Sequence, residues 1–181
     1  MRRNTSSHFG LFLAASALAF SLTGCSSPAS REAMTPQELN ISKHFPYSLG
    51  VQTGGGAATG ALDSSNIADA DLKAAIEDAV VHSKLFKSIV QGAGGDYELS
   101  VRVTTLSKPI FGGTFTVDME TAWSLTKIAD RSVALRKSVK SSGTATMGDA
   151  FAAVTRLRLA VEAAARDNIS QGLKAIGELG L

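Results

Sequence analysis

Residues 97–104 read Tyr-Glu-Leu-Ser-Val-Arg-Val-Thr, with apolar and polar side chains in alternation. Since successive side chains of a β-strand point to opposite faces of a sheet, this period of two predicts a half-buried strand. The same alternation returns over residues 115–126 and 133–140, after loops that contain Pro109 and Asp130. Short connections favour antiparallel pairing, so the three segments predict a meander with one apolar and one polar face.

The loops of this meander predict which residues face each other. If the loops are centred near Phe111 and Ala129, Trp123 lies opposite Leu99 and Leu135 in the middle of the apolar face. The polar face then carries two pairs of opposite charge: Arg102 with Glu120, and Asp118 with Lys140. Exposed pairs of this kind contribute only a few tenths of a kcal/mol each, so they predict a solvated face rather than a site.

Helical periodicity flanks the meander on both sides. Apolar residues recur every three or four positions from about Asp69 to Lys84 and again from Val154 to Ile176,. A strand over residues 47–51 precedes the first helix, and residues 85–90 form a brief strand after it. The sequence therefore predicts an α+β fold: a small, mainly antiparallel sheet of four to five strands, in β-α-β-β-β-β-α order, with two helices packed on one face.

Polar residues near the helices predict local contacts. Thr146 and Asp149 have the spacing of a capping box ahead of the last helix,. Glu162 lies four residues before Arg166, the better orientation for an ion pair within a helix,. Asp69, at the start of the first helix, suits the positive end of the helix dipole.

The N-terminus has the layout of a secretory signal. Arg2 and Arg3 supply a cationic start, and an apolar run follows from Phe9,. About 20 apolar residues are needed to span a bilayer as a helix, and this run is shorter. Cleavage after Gly24 would also remove the two arginines that account for the net charge of +2, so the remaining chain is near neutral. That balance argues against a nucleic-acid partner, which needs clustered Lys and Arg.

The apolar run closes with Leu22, Thr23, Gly24 and Cys25, and Cys25 is the only cysteine of the chain. Here the chain resembles a bacterial lipoprotein precursor, whose pattern is a Leu, a small residue, Gly or Ala, and then Cys. The resemblance implies a signal peptide over residues 1–24, recognised by the signal peptidase at Leu22, Thr23 and Gly24, and a lipid attached to Cys25. The alternative is an ordinary signal peptide with a chance cysteine.

The polar stretch after Cys25 contains Pro28 and Pro36 and has no sustained periodicity. Residues 25–45 are therefore predicted to form the lipidated cysteine and a flexible tether, and residues 46–181 a single domain. Ser26, rather than Asp, after the cysteine favours sorting to the outer membrane by analogy with enteric-type bacteria. We expect the protein to lie at the outer membrane, facing the periplasm, and to be anchored there by the lipid on Cys25.

Several short stretches between Pro46 and the C-terminus resemble a family of small bacterial lipoproteins of uncharacterised function. They are residues 94–97 with Leu99, Trp123 with Leu125, residues 149–151, residues 156–160, and residues 163–166 with Asn168. The predicted architecture is more loosely similar to that of a lipopolysaccharide-assembly lipoprotein and other envelope accessory lipoproteins. This resemblance implies a protein that holds, plugs or activates a partner in the envelope without chemistry of its own.

No stretch of the chain has the pattern of a catalytic or cofactor site. His82 is the one histidine in the predicted domain, and no acid in the sequence is placed to pair with it. The glycines of residues 54–60 lack the Gly-Lys-Ser/Thr ending of a phosphate loop, so they indicate a connection. We expect no enzyme activity, no metal and no cofactor; a hydrolytic enzyme is the less favoured alternative, to which His82 near an acid would point.

The predicted hairpin loop carries two large apolar residues, Ile110 and Phe111, where polar residues are usual. They are candidates for contact with a protein partner or a lipid layer; alternatively, Phe111 folds back over the end of the core. An open sheet edge is a second candidate for partner binding. A lipid-binding module with a cavity between helices and sheet is a further alternative, although the many alanines of the helices favour close packing.

Overall fold

The computed structural model describes residues 27–60, 64–92 and 94–181. The elements, in chain order, are α1 (Arg31–Met34), β1 (Phe45–Gly54), α2 (Asp69–Ser83), β2 (Phe86–Val90), β3 (Tyr97–Ser107), β4 (Phe115–Lys127), β5 (Val133–Ala145) and α3 (Ala153–Gly177). The predicted signal peptide, its recognition residues Leu22, Thr23 and Gly24, and the predicted lipid attachment site Cys25 lie outside the described residues.

The strands form one sheet in the order β2-β1-β3-β4-β5. The predicted α+β class and element order are confirmed, with the short helix α1 in addition. The sheet is mixed rather than mainly antiparallel, because β1 is parallel to both β2 and β3. Helix α2 connects β1 to β2 and returns the chain to the same end of the sheet, which makes that pair parallel.

The two predicted faces of the meander are confirmed, but the predicted register is wrong. Trp123 faces Val101 and Lys137, each two residues further along the chain than its predicted partner. Each ladder contains a register shift near its loop, between Val103 and Thr105 and between Leu125 and Thr126, so the loop position alone does not give the pairing at Trp123. Because the side-chain period is also two, the faces are preserved. Lys140 consequently pairs with Glu120, at 3.8 Å between Nζ and Oε2, instead of with Asp118.

Helix α3 lies unusually close to the sheet at two glycines. A Cβ atom on Gly143 of β5 would be 2.2 Å from the carbonyl oxygen of Ala160, and one on Gly172 of α3 would be 2.4 Å from the ring of Trp123. Trp123 itself is buried beneath the helix, at 1 % exposed. The interface between α3 and the sheet therefore leaves no room for an additional side chain, or for a bound lipid, at these positions.

The predicted capping box does not cap α3. Asp149 accepts hydrogen bonds from the backbone N–H and the hydroxyl of Thr146, at 2.7 and 2.8 Å, and these bonds lower the pKa of its carboxyl. The helix begins only at Ala153, so the motif closes a separate turn. Asp69 does lie in the first turn of α2, and its side chain accepts a hydrogen bond from the N–H of Gly56 in the preceding loop.

The prediction of a flexible tether over residues 25–45 is wrong for the part that the structure describes. Residues 27–44, here called the strap, lie against the two long helices. Ala29 and Met34 are part of the hydrophobic core, at 1 % and 0 % exposed. Two buried apolar residues thus help to hold a segment that lacks regular periodicity.

Candidate functional site

The strap is attached to α3 at both ends of helix α1. The backbone N–H of Ser30 donates to Oε1 of Glu162 at 3.0 Å, and Arg166 donates to the carbonyl oxygen of Ala33 at 2.7 Å. The predicted ion pair between Glu162 and Arg166 is therefore wrong, since Glu162 pairs instead with Arg158, at 3.5 Å. Glu162 and Arg166, about one helical turn apart in α3, thus bind the N-terminal and the C-terminal end of α1,.

A second attachment joins α1 to α2. Nε and Nη2 of Arg31 donate to Oδ2 and Oδ1 of Asp78, respectively, at 2.5 Å each. The bidentate geometry is the strong form of this pair, and the hydrogen bond from Arg31 lowers the pKa of Asp78. The strap consequently bridges the two long helices.

The ends of the strap lie at opposite ends of the domain. At its start, the carbonyl oxygen of Ser27 accepts a hydrogen bond from the Ser65 hydroxyl at 2.8 Å, and Ala29 N donates to Asn66 O at 3.1 Å. At its finish, Lys43 donates to the carbonyl oxygen of Leu179 beyond the C-terminal end of α3, at 2.6 Å. The chain therefore enters the domain beside the loop that precedes α2.

Exposed apolar residues lie on the two loops at this same end. The hairpin loop between β3 and β4 carries Ile110 and Phe111, at 94 % and 86 % exposed, so Phe111 does not fold back over the core. The loop between β5 and α3 and the first turn of the helix carry Met147, Phe151 and Val154, of which Phe151 is 87 % exposed. We call these five residues the apolar end.

Arg156 holds the two loops of the apolar end together. Its guanidinium donates to the carbonyl oxygens of Ala150 and Phe151, at 2.9 and 2.6 Å, and to that of Gly112 in the hairpin loop, at 3.3 Å. It lies 5.2 Å from the ring centroid of Phe115 and is only 5 % exposed. The carbonyl dipoles and the ring face offset part of the cost of burying the charge, while Nε is buried without a hydrogen-bond partner in the described part of the chain,. Nothing in the sequence distinguishes Arg156 from the other two arginines of the helix, Arg158 and Arg166.

Lys108 connects the apolar end to the start of the strap. Its ammonium group donates to the carbonyl oxygen of Ser65 at 3.1 Å and to Oδ1 of Asn66 at 2.6 Å. Ser65 and Asn66 are the residues that bind Ser27 and Ala29. A continuous set of hydrogen bonds thus places the start of the described chain next to the hairpin loop.

Three elements meet at a buried polar centre under α3. Asn168 accepts from the Thr121 hydroxyl and from Trp123 Nε1, and it donates to Val139 O and to the Ser141 hydroxyl, each at 3.1 Å. All four of the side chains that meet here are buried. Because each amide atom of Asn168 has two partners, this centre joins β4, β5 and α3 and leaves no group free to react.

The residues considered for catalysis do not converge. His82 is exposed on the last turn of α2 and has no acid within hydrogen-bond distance in the described ranges, and His44 Nδ1 lies 2.8 Å from the carbonyl oxygen of Lys84. Across residues 27–60, 64–92 and 94–181, no three His, Cys, Asp or Glu side chains group as a metal site would require. In the same ranges, none of the helices has the length and apolarity of a membrane span.

Neither a known protein family nor a curated protein matches the sequence. Among solved structures, a Xanthomonas campestris protein of the family DUF330 is 15 % identical, with a TM-score of 0.53 over 78 % of this chain and 86 % of that one. A hypothetical protein of Chlamydia trachomatis is 5 % identical, with a TM-score of 0.55 over 75 % of this chain and 96 % of that one. A minor lipoprotein of Acinetobacter baumannii is 10 % identical, with a TM-score of 0.42 over 73 % and 92 %. The first two similarities show the fold alone.

Proposed function

We propose that this chain is a lipid-anchored protein of the bacterial cell envelope that serves a protein partner as an accessory or assembly factor, without catalysis. The observation that carries the proposal is the position of Cys25, which closes a complete lipoprotein pattern and lies two residues before Ser27, where the chain is bound to the domain. The lipid on Cys25 would then fix the whole domain at the membrane surface.

The buried charged residues support a structural role. Arg156 and Glu162 are the two buried charged residues among the described residues, and both bind backbone groups of this chain. A catalytic group would instead face a cleft and remain available to a substrate. The contacts of these two buried charges therefore favour a structural role over the hydrolytic alternative.

The close packing of α3 on the sheet argues against the lipid-binding alternative. Between α3 and the sheet, Gly143 lies against the backbone of Ala160 and Gly172 lies against the ring of Trp123, so no acyl chain fits at these positions. Ile110 and Phe111 remain candidates for contact with a partner, and their exposure suits either a protein or a lipid layer.

The anchor is tested by processing and labelling in the bacterium. With an intact signal, we expect globomycin to cause accumulation of the precursor and radioactive palmitate to label the wild-type chain but not Cys25→Ala. An unlabelled wild-type chain that is processed normally would refute the anchor. Sorting is tested by membrane fractionation: the wild type is expected in the outer membrane, and Ser26→Asp is the matched variant expected to move to the inner membrane.

The partner role is tested by crosslinking in intact envelopes. We expect the anchored wild type to form a specific crosslinked product that Cys25→Ala, released from the membrane, forms much less. The same sample should be compared with Phe111→Asp, which changes the apolar end and leaves the anchor intact. If the wild type yields no product beyond those of Cys25→Ala, the accessory role is wrong even if the anchor is right.

A further inference from the structure

The geometry points to a second membrane contact. We infer that the apolar end enters the surface of the phospholipid bilayer that holds the lipid of Cys25, through Ile110, Phe111, Met147, Phe151 and Val154. The inference rests on the proposed anchor, and it adds to the lipid a protein surface that fixes the orientation of the domain.

The connection between the proposed anchor at Cys25 and the domain is very short. Ser27 is bound to Ser65, and Ala29 is buried, so only Ser26 lies between Cys25 and the first bound residue. Two extended residues span about 7 Å. A domain held on so short a connection cannot stand away from the bilayer, and the part closest to Ser27 has to face it.

The apolar end lies next to the start of the strap. Lys108, two residues before Ile110, binds Ser65 and Asn66, the same residues that bind the start of the strap. Gly113 of the hairpin loop is near Met147 of the second loop, since a Cβ atom there would be 3.6 Å from its sulfur. The exposed side chains of both loops thus lie at the same end of the molecule as Ser27.

The chemistry of this end matches a shallow lipid contact. Residues 109–114 and 146–155 contain a single ionisable side chain, Asp149, and its carboxylate is bound by Thr146. Contiguous exposed apolar surface is uncommon on a soluble domain and marks an interaction site. Apolar side chains that lie at a membrane surface are buried about 5–10 Å into the boundary between headgroups and acyl chains. The charge on Asp149 limits entry to that depth.

The short connection to Cys25 favours a membrane over a protein as the occupant of this rigid end. Arg156 ties the carbonyl oxygens of Phe151 and Gly112 to one buried group, so the aromatic side chains of the two loops are presented together. A protein bound to this end would have to fit between the domain and the bilayer, across the short connection to Cys25.

The test uses the lipidated full chain in vesicles of phosphatidylethanolamine and phosphatidylglycerol. Phe111→Cys and Phe151→Cys are labelled with the environment-sensitive dye NBD, and Lys87→Cys, on β2 at the opposite end of the domain, is the matched control. If Cys25 is in a thioether, each introduced thiol is the only one to react. We expect blue-shifted emission and strong quenching by bromine-labelled lipid at 111 and 151, and neither change at 87.

The outcomes separate this inference from the proposed anchor. Labels at 111 and 151 that behave like the control on lipidated protein would overturn the membrane contact and leave the anchor intact. A label at 111 that is shielded in native envelopes but exposed in vesicles would also overturn it and would assign this end to a protein. Uptake of dye by the wild-type chain would show a free Cys25 thiol and would refute the anchor together with the inference that depends on it.

Discussion

Glu162 accepts a hydrogen bond from the backbone N–H of Ser30 at 3.0 Å, across 132 positions of the sequence. Glu162 is only 3 % exposed, and Arg158 of the same helix also contacts it. Because of this contact, the strap, which follows the predicted anchor, is part of the domain rather than a flexible tether. The distance between the domain and the membrane therefore depends on the attachment of the strap.

Glu162→Ala is expected to detach the strap while the sheet and long helices remain folded. The variant leaves the half-buried N–H of Ser30 without its acceptor, and loss of such a hydrogen bond costs about 0.5–1.5 kcal/mol,. We expect faster proteolysis within residues 27–36 and a lower free energy of unfolding in urea. Glu178→Ala, at an exposed position just after α3, is the control. A strap as resistant as that of the wild type would show that the bond to Glu162 is dispensable.

Asn168→Ala is expected to destabilise the domain more than any exposed substitution in α3. The change leaves the Val139 carbonyl oxygen and the Ser141 hydroxyl without their donor, and it opens a cavity beside Trp123. A loss of about 2–4 kcal/mol follows from the unmet hydrogen bonds and the missing volume. This loss in the free energy of unfolding is measured by urea unfolding, followed by the fluorescence of Trp123, the only tryptophan. The control is Gln171→Ala, at an exposed position of the same helix. A loss equal to that of the control would contradict the role of this centre.

The faces of the sheet could be predicted from the sequence, and the pairing could not. Alternation over residues 97–104 and 115–126 is local information, and burial of one face preserves it. The position of Trp123 opposite Val101 depends on the loop around Phe111 and on a shift in register between Val103 and Thr105, which the alternation does not record. A strand pattern therefore identifies the core residues more securely than it identifies their partners.

The ordered structure of the strap could not be predicted from the sequence. Its apolar residues are too sparse for any period to appear, and it is ordered by contacts with residues far away in the sequence, such as Ser30 with Glu162 and Arg31 with Asp78. The same is true of Arg156, whose partners Gly112 and Phe151 are on different loops. Ile110 and Phe111 could be singled out from the sequence because they break the usual polarity of a hairpin loop, but Met147, Phe151 and Val154 could not.

Gly143→Ala tests the close packing of α3 on β5. The added methyl group would meet backbone atoms of Ala160 and Ala164, which cannot rotate away as a side chain can. Overpacking of this kind costs about 1–3 kcal/mol and sometimes more. We expect a clear drop in the midpoint of thermal unfolding. The control is Gly113→Ala, where the new methyl group would make only ordinary contact with Met147. Equal stability of the two variants would mean that α3 does not approach the sheet as closely as described.

The ion pair between Arg31 and Asp78 predicts a loss of strap attachment at low pH. The hydrogen bond from Arg31 lowers the pKa of Asp78 below the ordinary value of 3.8, against the smaller opposing effect of burial. A carboxyl whose pKa is lower in the folded state stabilises it above the unfolded pKa, and this stabilisation is lost as the pH falls through the folded pKa. The strap is therefore expected to be held from neutral pH down to about pH 4, and to loosen below it as Asp78 takes up a proton.

Asp78→Asn should remove this dependence. At neutral pH we expect faster hydrogen exchange in α1 for the variant than for the wild type, and the difference should shrink towards zero as the pH falls below 3.8. Asp118→Asn is the control, because Asp118 is exposed on the polar face of the sheet and its carboxylate has no hydrogen bond or ion pair within the described ranges. A gap between Asp78→Asn and wild type that stays constant down to the lowest pH would show that the strap is held by contacts other than this charge.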